Sequence, residues 1–128
     1  NHSFVLGKFY TEDVIKADTF EAHVSSGADA RIHVNADTVN SSSSSGADLR
    51  IKGNSNYHNT KASSGSSIKA YGLQSKIVTA KVSSGAAIDV YASESLTAKA
   101  SSGGDIDFRG NPETIDKRKS SGGSISSH

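Results

Sequence analysis

The sequence predicts an all-β fold, a right-handed parallel β-helix (a solenoid) with coils of about 19 residues. The tripeptide Ser-Ser-Gly occurs six times, and successive glycines are 19, 19, 20, 18 and 19 residues apart. A period of this length across most of the chain is typical of one supersecondary unit stacked on itself. Right-handed coiling is the usual hand of parallel crossovers. The six corners are predicted at Gly27, Gly46, Gly65, Gly85, Gly103 and Gly122.

The composition agrees with a narrow core built by stacking. Only 34% of the 128 residues are hydrophobic, and cysteine, methionine and tryptophan are absent. A repeat array can still bury a continuous apolar ladder because each coil covers its neighbours. We therefore expect a single domain over residues 1–128. The formal net charge of +1 gives no reason to expect nucleic acid as a partner.

The first strand of each coil is predicted directly after the tripeptide. Side chains alternate between faces along a strand, and residues at equivalent positions stack between parallel coils. The positions three and five residues after each glycine are apolar, so they are expected to face the core. Three residues after the glycine stand Ala30, Leu49, Ile68, Ile88, Ile106 and Ile125, and five residues after it stand Ile32, Ile51, Ala70, Val90 and Phe108.

A second strand is predicted before each tripeptide, with inner residues seven and three positions before the glycine. The segment between the two strands, at 35–38, 54–57 and 111–114, includes the single proline and is expected to absorb the one-residue changes in period. It is predicted to be a loop or a short third strand. The predicted inner residues are Phe20, Val39, His58, Val78, Leu96 and Ile115 in one column, and Val24, Ser43, Ala62, Val82, Ala100 and Lys119 in the other.

The two ends of the chain differ from the repeats. Residues 1–19 are predicted to be an N-terminal cap over the first coil or the remnant of a preceding strand-rich portion, and 20–127 are the repeat coils. The apolar residues of the first segment could also pair two copies in a homodimer. The tail is polar, and Ile125 is expected to be the last inner residue. The apolar residues at the start are Phe4, Val5, Leu6, Phe9, Tyr10, Val14 and Ile15.

The Ser-Ser-Gly motif is interpreted as structural. Glycine supplies an unusual backbone conformation at a corner, the second serine is expected to stack inward, and both hydroxyls are expected to bond to corner peptide groups. The alternative is an outward hydroxyl ladder that binds sugar or ice. The outward column next to these serines carries lysines and an arginine, which argues against ice binding because ice-binding faces are weakly charged. The first serines are Ser25, Ser44, Ser63, Ser83, Ser101 and Ser120.

A cationic column is the first candidate for a binding surface. It lies four residues before each glycine and consists of Lys61, Lys81, Lys99 and Arg118, continued by Ser42 and His23. Stacked like charges can attract a polyanion such as an acidic polysaccharide. The alternative is a solvated face that serves solubility, with a field diluted by Asp116 and Glu94.

A mixed column six residues after the glycine is the second candidate. It includes Tyr71 and Tyr91, which are predicted to stack in adjacent coils and could contact sugar rings. Such a pair more often stabilises the sheet. Another column, four residues after the glycine, changes from basic to acidic residues along the solenoid, and Lys69 is expected to stack on Asp89 within it.

No catalytic, metal or cofactor site is predicted. Asp29 and Asp48 are neighbours in one column, but they lack the oxygen-rich loop that a good calcium site needs. His58 occupies an inner position and is interpreted as a satisfied core histidine. Catalytic β-helices that act on polysaccharides cluster several carboxylates with cations, and no pair of coils here does so.

The phrase Ser-Ser-Gly-Gly-Asp-Ile-Asp-Phe at 101–108, with Gly-Asn-Pro at 110–112 and Lys-Ser-Ser-Gly-Gly-Ser-Ile at 119–125, resembles the head GIN domain of autotransporter adhesins. The resemblance covers roughly residues 20–127. It implies a secreted or surface-anchored bacterial β-helix, for which adhesion is proposed by analogy. Members usually carry an additional strand-rich N-terminal portion, so this chain is expected to be a C-terminal half, a short member or a trimmed form.

The resemblance also bears on modification. The tripeptide Asp-Thr-Val at 37–39 is similar to a short O-glycosylation pattern of envelope proteins in the bacteria where this family is expected. Thr38 lies in the segment predicted to be variable, where it would be accessible.

The function expected is that of a non-catalytic, secreted or cell-surface module of a bacterial envelope protein, an adhesin or glycan-binding element. Its expected partner is an acidic polysaccharide or a host or cell-surface glycan. The alternatives are a purely structural stalk or spacer, and a polysaccharide-active enzyme. No apolar run is long enough to span a membrane and no cleavable signal is visible, so a membrane would be reached only through an anchor outside this chain.

Overall fold

The computed structural model describes residues 2–10, 15–120 and 122–127, and in this part of the chain every regular element is a strand. Alternating apolar residues and corner glycines account for this, because they favour strands that turn and stack. No helix in the described residues is long and apolar enough to cross a membrane. The eight strands are β1 (His2–Tyr10), β2 (Ile15–Ser43), β3 (Asp48–Ala62), β4 (Ser67–Val82), β5 (Ala87–Ala100), β6 (Asp105–Arg109), β7 (Thr114–Lys119) and β8 (Ser124–Ser127).

All strand pairs are parallel, and the sheet order is β1-β2-β3-β4-β5-β6-β8, with β7 also paired to β5. Most of β3 pairs with residues of β2 that lie 19 positions earlier, for example Ala30 with Leu49. Each coil therefore lies on the preceding one. The predicted solenoid of about six coils of roughly 19 residues is confirmed.

Each coil has three faces. In a coil of 19 residues, the first face consists of the residues two to six positions after the motif glycine, the second of the next four, and the third of those from eight to three positions before the next glycine. Consecutive exposed residues such as Asn56 and Tyr57 mark the corner between the second and third faces. The segments 35–38 and 54–57 are strand, so the third-strand alternative holds there, whereas 110–113 around Pro112 is a loop.

The core is a stack of the predicted inner columns. The residues three positions after the glycine, from Ala30 to Ile125, and those five positions after it, from Ile32 to Phe108, are all buried, and so are most of those seven and three positions before it. Burying such apolar side chains contributes roughly 1.5–3 kcal/mol each. The exceptions are Ile115, which is 42% exposed, and Lys119, because β7 is exposed along its whole length. Lys117, also at an inner position of β7, places Nζ 5.3 Å from the ring centroid of Phe108.

The Ser-Ser-Gly corners are tight turns with a left-handed backbone. In the first five motifs the second serine has φ between 50° and 56° and the glycine has φ between 74° and 77°. The first serine's carbonyl accepts a hydrogen bond from the amide three residues on, as in Ala47 N to Ser44 O at 3.2 Å. Positive φ at both central residues identifies a type I′ turn. The expectation of an inward second serine was wrong, because this backbone turns those side chains to solvent.

The N-terminal strand β1 pairs in parallel with β2, in a register that places His2 beside Phe20 and Tyr10 beside Arg31. It therefore continues the stack as one more rung. Val14, one of the apolar residues expected to form a cap, lies outside the described residues. The division into 1–19 and 20–127 and the homodimer through this segment stay predictions.

Candidate functional site

The cationic column is formed by side chains of the third face. Strand pairing brings each cation beside the next one, and all four side chains are exposed. The register runs from Lys61 to Lys81, from Lys81 to Lys99 and from Lys99 to Arg118. Neighbouring strands lie about 4.8 Å apart, so one positive charge projects from each of four successive coils.

A groove runs beside this column and has a volume of about 640 Å³. We call it the cationic groove. The cations form one wall, and the half-buried first serines of the motif, such as Ser83, form the other. The inner residues between them, such as Val82, form the floor. It is lined by residues 61–63, 81–83, 99–101 and 118–120.

The electrostatics of the groove are those of an almost unpaired cation ladder. Among the described residues, Lys61, Lys81 and Lys99 form no ion pair, whereas Arg118 Nε pairs with Asp116 Oδ1 at 3.6 Å. That pair dilutes the charge at one end, as the sequence suggested for Asp116. Unit charges at coil spacing repel by about 1 kcal/mol per neighbouring pair in water, less in salt. An anionic ligand would relieve this repulsion.

The cationic column continues toward the N-terminus as a polar surface. His23 Nδ1 and the Ser42 hydroxyl share a hydrogen bond, and Ser42 aligns with Lys61. Beside them, Asn59 Nδ2 donates to Asn40 Oδ1 over 2.9 Å. These contacts link side chains of successive coils, so the polar surface is ordered along the solenoid.

The predicted stacking of Tyr71 on Tyr91 is wrong. The register of β4 with β5 jumps from Ala70 opposite Val90 to Gln74 opposite Tyr91, so Tyr71 lies in a bulge of three residues. Its ring instead carries the Arg109 guanidinium, 4.2 Å from the centroid. The Tyr71 hydroxyl bonds to Asp89, which lies beside Lys69 as expected. Whether either tyrosine contacts sugar stays a prediction.

Burial and the carboxylates of Asp89 and Asp107 raise the pKa of Tyr71 to about 12. We expect that, in an absorbance titration of the folded protein, the last tyrosine to ionise titrates near pH 12. Tyr71→Phe should remove that step and leave the others. A Tyr57→Phe control should retain it, and a final step unchanged in Tyr71→Phe would contradict the assignment.

Asp29 and Asp48 are aligned neighbours, and Arg31 and Arg50 share their small surface depression. In the described ranges no group of three or more His, Cys, Asp or Glu residues could hold a metal ion.

His58 is fully buried, as predicted for its inner position. Ser41 Oγ lies 3.0 Å from His58 Nε2, but His58 Nδ1 and Thr60 Oγ1 have no hydrogen-bond partner among the described residues. The histidine is therefore only half satisfied. Burial lowers its pKa from 6.5 to about 4, so the ring is neutral at physiological pH.

Thr38 does not lie in a loop. It is a half-buried residue of β2 that aligns with Tyr57. The preceding Asp37 accepts a hydrogen bond from Asn56 Nδ2. Modification of Thr38 stays a prediction, and it would require a partly covered hydroxyl to react.

A second groove, on the second face, was missed by the sequence reasoning. It has a volume of about 550 Å³ and is lined chiefly by side-chain amides and hydroxyls. We call it the amide groove. The signal was present in two coils, with Asn35 and Asn54 eight positions after the glycine and Asp37 and Asn56 ten positions after it. In the longer coil that follows, Gln74 and Lys76 stand nine and eleven positions after the glycine, so counting did not align them with the others. Its lining residues are 35–37, 54–56, 74–76, Tyr91 and Ser93.

The family described as "Putative auto-transporter adhesin, head GIN domain" matches residues 6–112. A comparison with curated protein sequences gives no match.

Two solved structures share the fold. A putative adhesin from Bacteroides fragilis is 23% identical with a TM-score of 0.90, over 100% of this chain and 60% of that one. A putative lipid binding protein from Parabacteroides distasonis is 22% identical with a TM-score of 0.92, over 97% of this chain and 50% of that one. The chain thus spans only 60% and 50% of the length of these two proteins. At such identities the likeness concerns the fold alone.

Proposed function

Because the chain belongs to the family described as putative auto-transporter adhesin, head GIN domain, we propose that it is a non-catalytic adhesive module of a bacterial cell surface. Its cationic groove binds an acidic polysaccharide. The module acts outside the cell, where such polymers of host or neighbouring cells are accessible. The putative adhesin from Bacteroides fragilis, with the same fold, is consistent with this role.

The observation that carries the proposal is the alignment of Lys61, Lys81 and Lys99 along one wall of a groove. Each coil offers one ammonium group, and the facing serine hydroxyls can donate and accept hydrogen bonds. A linear polymer with a carboxylate on its repeating units can place anions beside successive cations. Several weak contacts along one chain then add up to useful avidity.

The test compares two double charge reversals. We expect Lys81→Glu with Lys99→Glu to weaken binding to polygalacturonate or hyaluronan at least about tenfold, equivalent to about 1.4 kcal/mol. The matched control is Lys52→Glu with Lys69→Glu, which changes the net charge equally on the first face. Immobilised polysaccharide and biolayer interferometry provide the measurement, with neutral dextran as the blank.

Equal weakening by both double variants would mean that net charge, and not the groove, governs binding. Absence of binding by the wild-type protein to every acidic polymer would overturn the proposal in favour of a stalk or spacer. Reducing ends or unsaturated products released in the same wells would overturn the non-catalytic part. Each outcome therefore separates the adhesive module from one of its alternatives.

A further inference from the structure

The amide groove lies on a different face from the cationic groove, and the two have no lining residue in common. Its volume of about 550 Å³ is within the range of roughly 300–1,000 Å³ that is usual for small-molecule sites. Its walls are columns of polar side chains, and its floor is formed by Ser55 and Ser75. It is thus a surface that the proposed adhesive function does not use.

The floor and walls of the amide groove are held by contacts between coils. The buried hydroxyls of Ser55 and Ser75 are 2.7 Å apart and hydrogen bonded. On the walls, Asn54 Nδ2 donates to Asn35 Oδ1 over 3.4 Å, and Asn56 donates to Asp37. Rigid strands and these bonds fix the direction of the Asn54 and Asn56 amides before any ligand arrives. Such preorganisation reduces the entropy cost of binding.

The amides retain hydrogen-bonding capacity for a ligand. A side-chain amide has two N–H donors and a carbonyl oxygen with two lone pairs. The bonds between coils use one N–H each of Asn54 and Asn56. Gln74 makes no hydrogen bond to the described residues through its side chain. The groove therefore presents donors and acceptors side by side, which matches hydroxyl groups because each hydroxyl can both donate and accept.

An aromatic ring lies at one end of these amides. The bulge in β4 brings Tyr91 opposite Gln74, where its half-buried side chain lines the groove. A pyranose ring has an apolar face of C–H groups and a polar edge of hydroxyl groups. The aromatic ring of Tyr91 can pack on that face while the side-chain amides bond to the hydroxyl groups at the edge. Both elements of sugar recognition thus meet in one groove.

The charge of the groove distinguishes its ligand from that of the cationic groove. Asp37 and Lys76 contribute one formal charge of each sign to its lining, so their sum is zero. We infer that the amide groove is a second binding site, for an uncharged oligosaccharide of hexopyranose units. This inference does not depend on the proposed function, because it uses other residues and another chemistry.

The experiment is an NMR titration of the ¹⁵N-labelled protein with cellohexaose, mannohexaose and laminarihexaose. At least one of these should shift the side-chain amide signals of Asn54, Asn56 and Gln74. Asn54→Ala and Tyr91→Ala should each weaken binding about tenfold. The controls are Asn59→Ala, which removes a similar inter-coil amide bond outside the groove, and Tyr57→Ala, which removes an exposed ring outside it.

High salt should leave binding of the hexasaccharide unchanged, and so should the reversal of Lys81 and Lys99, whereas both should weaken binding of an acidic polymer. The proposals for the two grooves can therefore be contradicted independently of each other. Three results would each overturn the inference. They are no shift with any of the three hexasaccharides, shifts confined to other faces, and equal weakening by the groove variants and their controls.

Discussion

Replacing Gly53 by alanine should destabilise the protein by about 3 kcal/mol or more. Gly53 has φ +130°, and a Cβ built on it would lie 1.8 Å from the Val34 carbonyl oxygen and 2.8 Å from its carbon. These are backbone atoms of the preceding coil. They can move away only if the two coils separate locally, which breaks the parallel hydrogen bonds at the corner between the first and second faces.

The matched control for this substitution is Gly46→Ala at a Ser-Ser-Gly corner. Gly46 also has a positive φ, +76°, but a Cβ there meets nothing within 4 Å. Only the left-handed backbone then costs free energy, about 1–2 kcal/mol. Urea unfolding followed by circular dichroism gives both free energies. Equal losses would mean that the coils do not approach each other as closely as the structure indicates.

Acid should destabilise the protein through His58, by about 3 kcal/mol between pH 6.5 and pH 4. The unfolded chain binds a proton at this histidine below about pH 6.5, whereas the buried ring stays neutral until about pH 4. Because the unfolded state then holds more protons, the free energy of unfolding falls as the pH falls through this window. Above pH 6.5 this contribution is constant.

His58→Val isolates this contribution, because Val39 and Val78 occupy the aligned positions of the neighbouring coils. The variant also removes the unpartnered Nδ1, at the cost of leaving the Ser41 hydroxyl without His58. Its free energy of unfolding should fall less than that of the wild type between pH 6.5 and 4. His23→Gln, which alters an exposed histidine, is the control variant. Parallel curves for the wild type and His58→Val would contradict the assignment.

The core was predictable because its signal is periodic. The inner residues five positions after each glycine, from Ile32 to Phe108, could be aligned by counting, and all of them are buried. Counting positions from the motif glycine identifies aligned residues wherever each residue of one coil pairs with one residue of the next. The same logic located the register of Lys81 with Lys99.

Counting failed where a coil gains or loses residues. The glycine spacings of 20 and 18 show that two coils differ in length, but spacing does not show where the difference is absorbed. We expected it in the segment before the second strand. The structure places a bulge at 71–73, which separates Tyr71 from Tyr91 and moves Tyr91 into the amide groove.

The corner backbone limited the prediction of the candidate site. Sequence reasoning treated the serines and the lysines as two separate columns. The left-handed conformation of Ser64 and Gly65 turns the second serine to solvent and leaves the half-buried Ser63 beside Lys61. A groove arises from that geometry, and its depth depends on backbone angles that residue types alone do not specify.

The most direct test of the central claim, that the cationic groove binds an acidic polymer, is the salt dependence of polygalacturonate binding. The wild type should bind less tightly as salt rises. Each lysine side chain that contacts the polymer releases counterions from it, and this release is less favourable at high salt. Glutamine in place of Lys61, Lys81 or Lys99 should make this dependence shallower in each case, and glutamine in place of Lys52 should not. A salt dependence that is the same in all five proteins would contradict the claim.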